Sequence, residues 1–262
     1  MIFIHRGRER TSCPDLSSIR ERELTRVRAE IANGEPVSEK LLGPSYRVAR
    51  DPLRQAQRRK CCYCEVKPNS QRWHTVEHVR PKSYYWWLTW TWDNLLFACH
   101  DCNNAKLDQF PLTDEATRLL AEARPPGEED PLIIDPSVRD PRKHICFWPV
   151  RHDLWFPIAR KRDPLGQRTL EALQWTDPES MQQDGLVEAW QDHVASLRPR
   201  ILALRSSFST KNAGQIQRDW NEHTRRRRRA GQPFVALTLD VLEFHFDHEI
   251  ERWQLPLTVI YD

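Results

Sequence analysis

Two short cysteine units, Cys61-Cys62-Tyr63-Cys64 and Cys99-His100-Asp101-Cys102, constrain this chain more than any other feature. They are C-x2-C pairs with 34 residues between Cys64 and Cys99. The x2 spacing lets the two sulfurs of one turn converge on a single ion, and four thiolates form the tetrahedral soft shell that structural zinc prefers. Cys61, Cys64, Cys99 and Cys102 are therefore read as zinc ligands. Cys62 stands in a C-x-C relation to Cys64, a poorer geometry, and is read as a small packed side chain. An iron–sulfur cluster takes the same ligands and remains the rival. A closed four-thiolate zinc site has no open position, so its expected task is to hold the fold, which in small modules often forms only with the metal bound.

The remaining composition narrows the class. Seven cysteines, an odd number with five of them between Cys61 and Cys102, argue against a disulfide framework. No run of roughly 18 apolar residues occurs, and the opening MIFIHRGRER is too briefly apolar for a signal peptide, which predicts a cytoplasmic protein without a membrane span. Net charge is only +3, yet residues 1–60 hold 14 Lys/Arg against 8 Asp/Glu, while residues 111–150 hold 5 against 8. That basic flank suits contact with phosphates and equally suits a solvated helix surface.

Along the chain, residues 15–32 carry a helical pattern, with Asp15 or Ser17 as N-cap and Asn33-Gly34 as stop. A second helix is expected over about 45–60, broken or begun near Pro52. Residues 61–80 suggest a hairpin turning at Pro68-Asn69-Ser70, and a helix is expected from Cys99 through Lys106. The proline- and acid-rich RPPGEEDP (124–131) reads as a loop or hinge. Helical periodicity returns over 166–175, 185–205 and 236–253. The expected division is an N-terminal helical brace (1–60), a metal-bearing core (61–112), a linker with an extended segment (113–150) and a helical region (151–262).

Between and after the cysteine units lie Val76-Glu77-His78-Val79-Arg80-Pro81-Lys82, then Trp92-Asp93-Asn94-Leu95-Leu96, then Cys102-Asn103-Asn104-Ala105-Lys106. Here the chain resembles the HNH endonuclease family, in which a hairpin and a helix clasp one metal ion. The family's acid-His pair, its Asn before an apolar pair and its last His or Asn fall on Glu77, His78, Asn94 and Asn103. The last position is Asn where many members have His. Within the family, CCYCE, VEHVRPKS, WDNLLFACHDCNNAKLDQFP and, more weakly, DPLIIDPSVRDPRKHICFWP and GQRTLEALQW resemble the PtuB group of Septu-type and retron-associated anti-phage systems.

The resemblance implies an α+β fold: a zinc-stapled ββα-metal, treble-clef-like core with N-terminal helices and a mainly helical C-terminal region. It implies hydrolysis of DNA, leaving 5′-phosphate and 3′-hydroxyl ends, by an effector that a PtuA-type ATPase partner restrains. The roles agree with the residue chemistry. A neutral imidazole suits His78 as general base, and oxygen donors suit Glu77 and Asn103 as ligands of a catalytic Mg²⁺ or Mn²⁺. Asn94 is assigned to orienting His78 or bracing its loop. Arg80, Lys82 and Lys106 are candidate phosphate contacts. No GxxxxGK[ST] phosphate-binding loop occurs, so ATP hydrolysis must come from another chain. A zinc-stabilised module that binds nucleic acid or protein without cutting is the alternative.

Other features carry less. The run Arg225–Arg229 suits a solvated loop or a phosphate clamp. Trp86, Trp87, Trp90 and Trp92 are read as packing around the metal module rather than as a base-stacking surface. His245 and His248 are not taken as a second metal site, and His5, His193 and His223 are read as surface residues.

Overall fold

The computed structural model describes residues 1–68, 74–151, 154–181, 183 and 185–261. Its helices and strands are α1 (Asp15–Ala32), α2 (Arg50–Ala56), β1 (His74–His78), β2 (Leu95–Cys99), α3 (His100–Lys106), β3 (Ile145–Arg151), β4 (Leu154–Ala159), α4 (Pro164–Ala172), α5 (Leu186–Thr210), α6 (Ala213–Thr224) and α7 (Val235–Trp253), with short helical turns between them. This is the expected α+β mixture: two antiparallel two-stranded sheets among helices. No helix is long and apolar enough to cross a membrane.

Helix α1 ends where Asn33-Gly34 predicts, Gly34 taking φ +91°. Its start differs from expectation. Pro14 occupies the N-cap without a side-chain bond, Asp15 is already helical, and Ser17 returns its hydroxyl to the Pro14 carbonyl. The expected 45–60 helix is a 3₁₀ turn (Ser45–Ala49) running into α2, and it stops at Gln57. Gln57 explains the stop. Its side chain leaves the helix to bracket Phe97 of β2, donating to the Phe97 carbonyl at 2.7 Å and accepting from its amide at 2.7 Å.

The hairpin is not confined to 61–80. The strand His74–His78 pairs with Leu95–Cys99, His74 opposite Cys99 and His78 opposite Leu95. Residues 69–73, with part of the expected turn, lie outside the described residues. Strand β2 is buried along its whole length because LLFA is apolar on both faces and both faces are covered. The 16-residue connection 79–94 stays compact because its tryptophans point inward: Trp86, Trp87, Trp90 and Trp92 are all buried. Three of their indole N–H groups find carbonyl or hydroxyl partners at Ala123, Ser45 and Gly7. The packing reading of this cluster describes it.

The C-terminal half folds around Trp190, whose ring meets Phe147, Phe156 and Trp175 edge-on at 5.2–5.9 Å. The hairpin β3–β4 crosses the expected boundary at 150/151, and buried residues form a single hydrophobic cluster from the N-terminus to Leu255. The 124–131 loop is pinned rather than hinge-like. Glu129 accepts from Arg80, from the Tyr85 hydroxyl at 2.6 Å and from the Leu119 amide. Helix α6 was not expected; its signal is the capping box in which Asn212 and Gln215 satisfy each other's amides. His193 is buried and bonds Thr238 at 2.7 Å, contrary to the surface reading. Within the arginine run, Arg228 is buried against Thr224, Asn221 and the Thr258 carbonyl, while Arg225 and Arg226 stay exposed.

One carboxylate joins the cysteine turn to the C-terminal helices. Glu65, directly after Cys64, holds Lys60 at 2.7 Å and accepts the first amides of α7 from Val235 and Ala236. Burial opposes its ionisation, but the Lys60 charge and these donors outweigh that and hold it at about 2. Its φ of +62° is unfavourable for a residue with a Cβ and is fixed by these contacts. We predict that Glu65→Gln lowers unfolding stability by about 3 kcal/mol, because a buried ammonium is left without its counter-charge. Urea unfolding measures this; a decrease below about 0.5 kcal/mol would show that the carboxylate charge is dispensable.

Candidate active site and metal centre

The cysteine units meet as their spacing requires. After α2, Cys61 and Cys64 sit on a tight turn in which the Cys61 amide donates to Val66 and the Glu65 amide to Cys61. Cys99 ends β2 and is the N-cap residue of α3, and Cys102 lies in that helix's first turn. All four sulfurs are within 4.8 Å of one another, and all four residues are buried. The Cys64 and Cys99 sulfurs are 3.8 Å apart. A tetrahedron with Zn–S bonds of about 2.3 Å has sulfur edges of about 3.8 Å, so the donor set fits one zinc ion. A multi-iron cluster placed between the thiolates would hold them wider apart. Cys62 is not one of the converging four: its amide donates to the Phe97 carbonyl, its thiol lies against Cys61, and burial pushes its thiol pKa well up. Among the described residues these four cysteines are the one group of three or more His, Cys, Asp or Glu side chains whose ligand atoms converge.

The acid-His pair lies at the end of β1, where the strand passes α3. Glu77, His78, Lys82 and Asn103 line one open cleft, with Tyr46 and Leu107 on its walls and Glu39 and Asp108 among the acids beside it. His78 is buried, its Nε2 3.0 Å from the Thr89 carbonyl and its ring edge-on to Tyr46 at 4.7 Å. A carbonyl only accepts, so Nε2 carries the proton and Nδ1 keeps its lone pair. Burial, helped by the Lys82 and Lys106 charges and opposed by the Thr89 bond, lowers this imidazole to about 3, which keeps it neutral.

Glu77 is almost fully enclosed, and burial raises its pKa against the pull of Lys106. Its Oε1 lies 2.7 Å from the Lys106 ammonium and accepts from the Tyr63 hydroxyl at 3.2 Å. Its Oε2 makes no hydrogen bond to a described residue. Asn103, partly exposed on α3, likewise commits no side-chain atom to a described residue. Glu77, Asn103 and the neutral His78 thus border one cleft.

Asn94 braces the loop and does not touch His78. Its Oδ1 accepts from the Arg80 amide at 2.8 Å, its Nδ2 donates to the Arg80 carbonyl at 3.0 Å, and its own carbonyl accepts from Val79. Two expected phosphate contacts are placed otherwise. Lys106 is buried, strung between Glu77 and the His78 carbonyl at 3.1 Å, because a desolvated ammonium stays with its counter-charge. Arg80 leans away from the cleft onto Glu129 at 2.9 Å and over the Phe110 ring. Lys82 does reach the cleft, where Glu39 holds it at 2.5 Å. Tyr63, Thr89 and Tyr46, which fix the two catalytic candidates, carry no sequence signal of that role: none sits at ligand spacing, although Tyr63 lies inside the first cysteine unit.

Comparison with known proteins bears on this geometry. Residues 61–109 match the family described as HNH endonuclease. The chain is 35% identical over 102 residues to Septu protein PtuB of Bacillus mycoides (strain KBAB4), a match covering 34% of either chain. It is 29% identical over 101 residues to Septu protein PtuA of the same strain, covering 34% of this chain and 14% of the relative. The chain thus spans about a third of the first relative's length and less of the second's. No solved structure matches at a significant level. The cysteine cluster, the hairpin that presents Glu77 and His78, and the helix that presents Asn103 all fall inside residues 61–109, the segment that matches the HNH endonuclease family.

Proposed function

We propose that the chain is a metal-dependent endonuclease hydrolysing DNA phosphodiester bonds, the effector of a bacterial anti-phage system regulated by a PtuA-type ATPase partner. The observation that carries the catalytic part is that Glu77, His78 and Asn103, from a strand and a helix tied by the cysteine cluster, line one cleft. The free oxygen of Glu77 and the uncommitted Asn103 side chain suit a hard divalent ion, Mg²⁺ or Mn²⁺. When bound, such an ion offsets negative charge on the phosphate and the leaving oxygen.

The chain's own residues account for the rest. His78, neutral and with Nδ1 unprotonated, takes a proton from the attacking water, and the Thr89 carbonyl holds the ring in that tautomer. Lys106 fixes Glu77 in place and opposes the rise in its pKa that burial causes. Lys82 is the cleft cation able to meet a phosphate by exchanging Glu39 for it. The four-thiolate zinc sets the position of α3, and hence of Asn103, relative to β1. Support for the partner is the likeness to the Septu proteins.

We expect His78→Ala to lower Mg²⁺- or Mn²⁺-dependent plasmid nicking by at least about 100-fold while zinc content stays unchanged and the protein remains folded. Full cleavage by that variant would remove His78 as base. Absence of nicking by the wild type, alone and together with the ATPase, would favour the binding-module alternative. Cys102→Ser should abolish both zinc binding and cleavage and unfold far more easily, read by metal analysis and thermal denaturation. A variant that lacks zinc but keeps a native midpoint would refute the structural role of the ion.

A further inference from the structure

The 3₁₀ turn that brings Tyr46 against the His78 ring also carries two arginines. Ser45–Ala49 runs directly into α2 at Arg50, so Arg47 and Arg50 stand three residues apart on one face. They form one wall of a groove whose other wall is Thr75 of β1 with His100 and Asn103 of α3. Tyr46, Val76 and Asn103 line both this groove and the catalytic cleft, so the two are continuous and join at the proposed metal ligand.

The two halves of this channel differ in charge. The cleft contains Glu39, Glu77 and Asp108, whereas no carboxylate among the described residues lines the groove. Arg47 is exposed, and its guanidinium makes no hydrogen bond or ion pair to a described residue. Arg50 has a buried Nε that makes no hydrogen bond; it is held only in a 3.6 Å ion pair with the carboxylate of its exposed neighbour Asp51. A guanidinium short of hydrogen-bond acceptors at the wall of a groove without carboxylates suits an anion there.

We infer that this groove binds the sugar–phosphate backbone of nucleic acid on one side of the scissile bond, with Arg47 and Arg50 on neighbouring phosphates. The inference rests on the nuclease reading only for placing the scissile phosphate in the adjoining cleft. Guanidinium–phosphate contacts of this kind position a strand and carry no base information, so the grip is independent of sequence. The rigid link from this turn through Tyr46 to His78 makes the groove a ruler, setting where along the backbone the general base meets its water.

The test is salt-dependent binding of a fluorescein-labelled DNA duplex to the full chain, followed by anisotropy without added divalent metal. Arg47→Gln/Arg50→Gln should make the slope of log affinity against log salt shallower by about 1.8, that is about 0.9 for each phosphate no longer neutralised. Arg47→Lys/Arg50→Lys should restore most of the slope, and Arg225→Gln/Arg226→Gln should leave it as in the wild type. If the double Gln variant fails to fold, the exposed Arg47→Gln alone should flatten the slope by about 0.9.

An unchanged slope in the double Gln variant overturns the inference, as does a wild type that does not bind the duplex. The nuclease reading fails separately. If the wild type cuts no DNA, alone or with the ATPase, while the double Gln variant shows the flattened slope, that reading falls and the groove stands. If the double Gln variant binds and cuts like the wild type while His78→Ala is inert, the groove alone falls.

Discussion

Convergence of four thiolates is the interaction on which the rest of this structure depends. Cys61 and Cys64 belong to a turn after α2, and Cys99 and Cys102 to the junction of β2 and α3; their sulfurs lie within 4.8 Å of one another. The segment between them holds a short hairpin and a tryptophan-packed connection, too little to bury a core by itself. An ion held by these thiolates would supply the constraint that apolar area cannot. Everything chemical is referred to it: α3 carries Asn103 one residue beyond a ligand, and β1, hydrogen-bonded to β2, carries Glu77 and His78.

A second layer of buried charge transmits that constraint outward. Glu65 extends the cysteine turn to Lys60 and the start of α7, and Lys106 extends α3 to Glu77. Asp240 on α7 plays the same part for the C-terminal hairpin, accepting from the Phe147 amide and from Arg142 and Arg160. Each is a case in which removing one partner would strand a desolvated charge, so each fixes position more than it adds net stability. The cleft walls are held by such pairs, while Asn103 and the second oxygen of Glu77 are left uncommitted. That contrast suits a site that must be rigid in its frame and open at its reacting atoms.

What the sequence made legible was local. The cysteine spacing within each unit, the helix from Cys99 to Lys106 and the stop at Asn33-Gly34 follow from neighbours a few residues away, whereas the bracing by Asn94, which reaches Arg80 14 residues back, comes from the family resemblance. What it hid depended on distant partners. Arg80 and Lys106 look like phosphate contacts because cations beside an acid-His pair usually are. Only folding brings Glu129, 49 residues on, over Arg80 and buries Lys106 against Glu77. The partner strand of His74–His78 is hidden for the same reason, its pairing being closed by tryptophans whose burial has no period. Arg47 and Arg50 carry only the diffuse basic signal of the N-terminal flank until the 3₁₀ turn sets them beside the cleft.

The central claim is that one sulfur-bound ion and one oxygen-bound ion occupy separate, adjacent sites with different tasks. Anomalous diffraction from crystals of the full chain soaked in Mn²⁺, recorded at the zinc and manganese edges, tests it most directly. The account predicts a zinc peak among Cys61, Cys64, Cys99 and Cys102 and a manganese peak bounded by Glu77 and Asn103 within reach of His78. A manganese peak elsewhere, or none in that cleft, would contradict it.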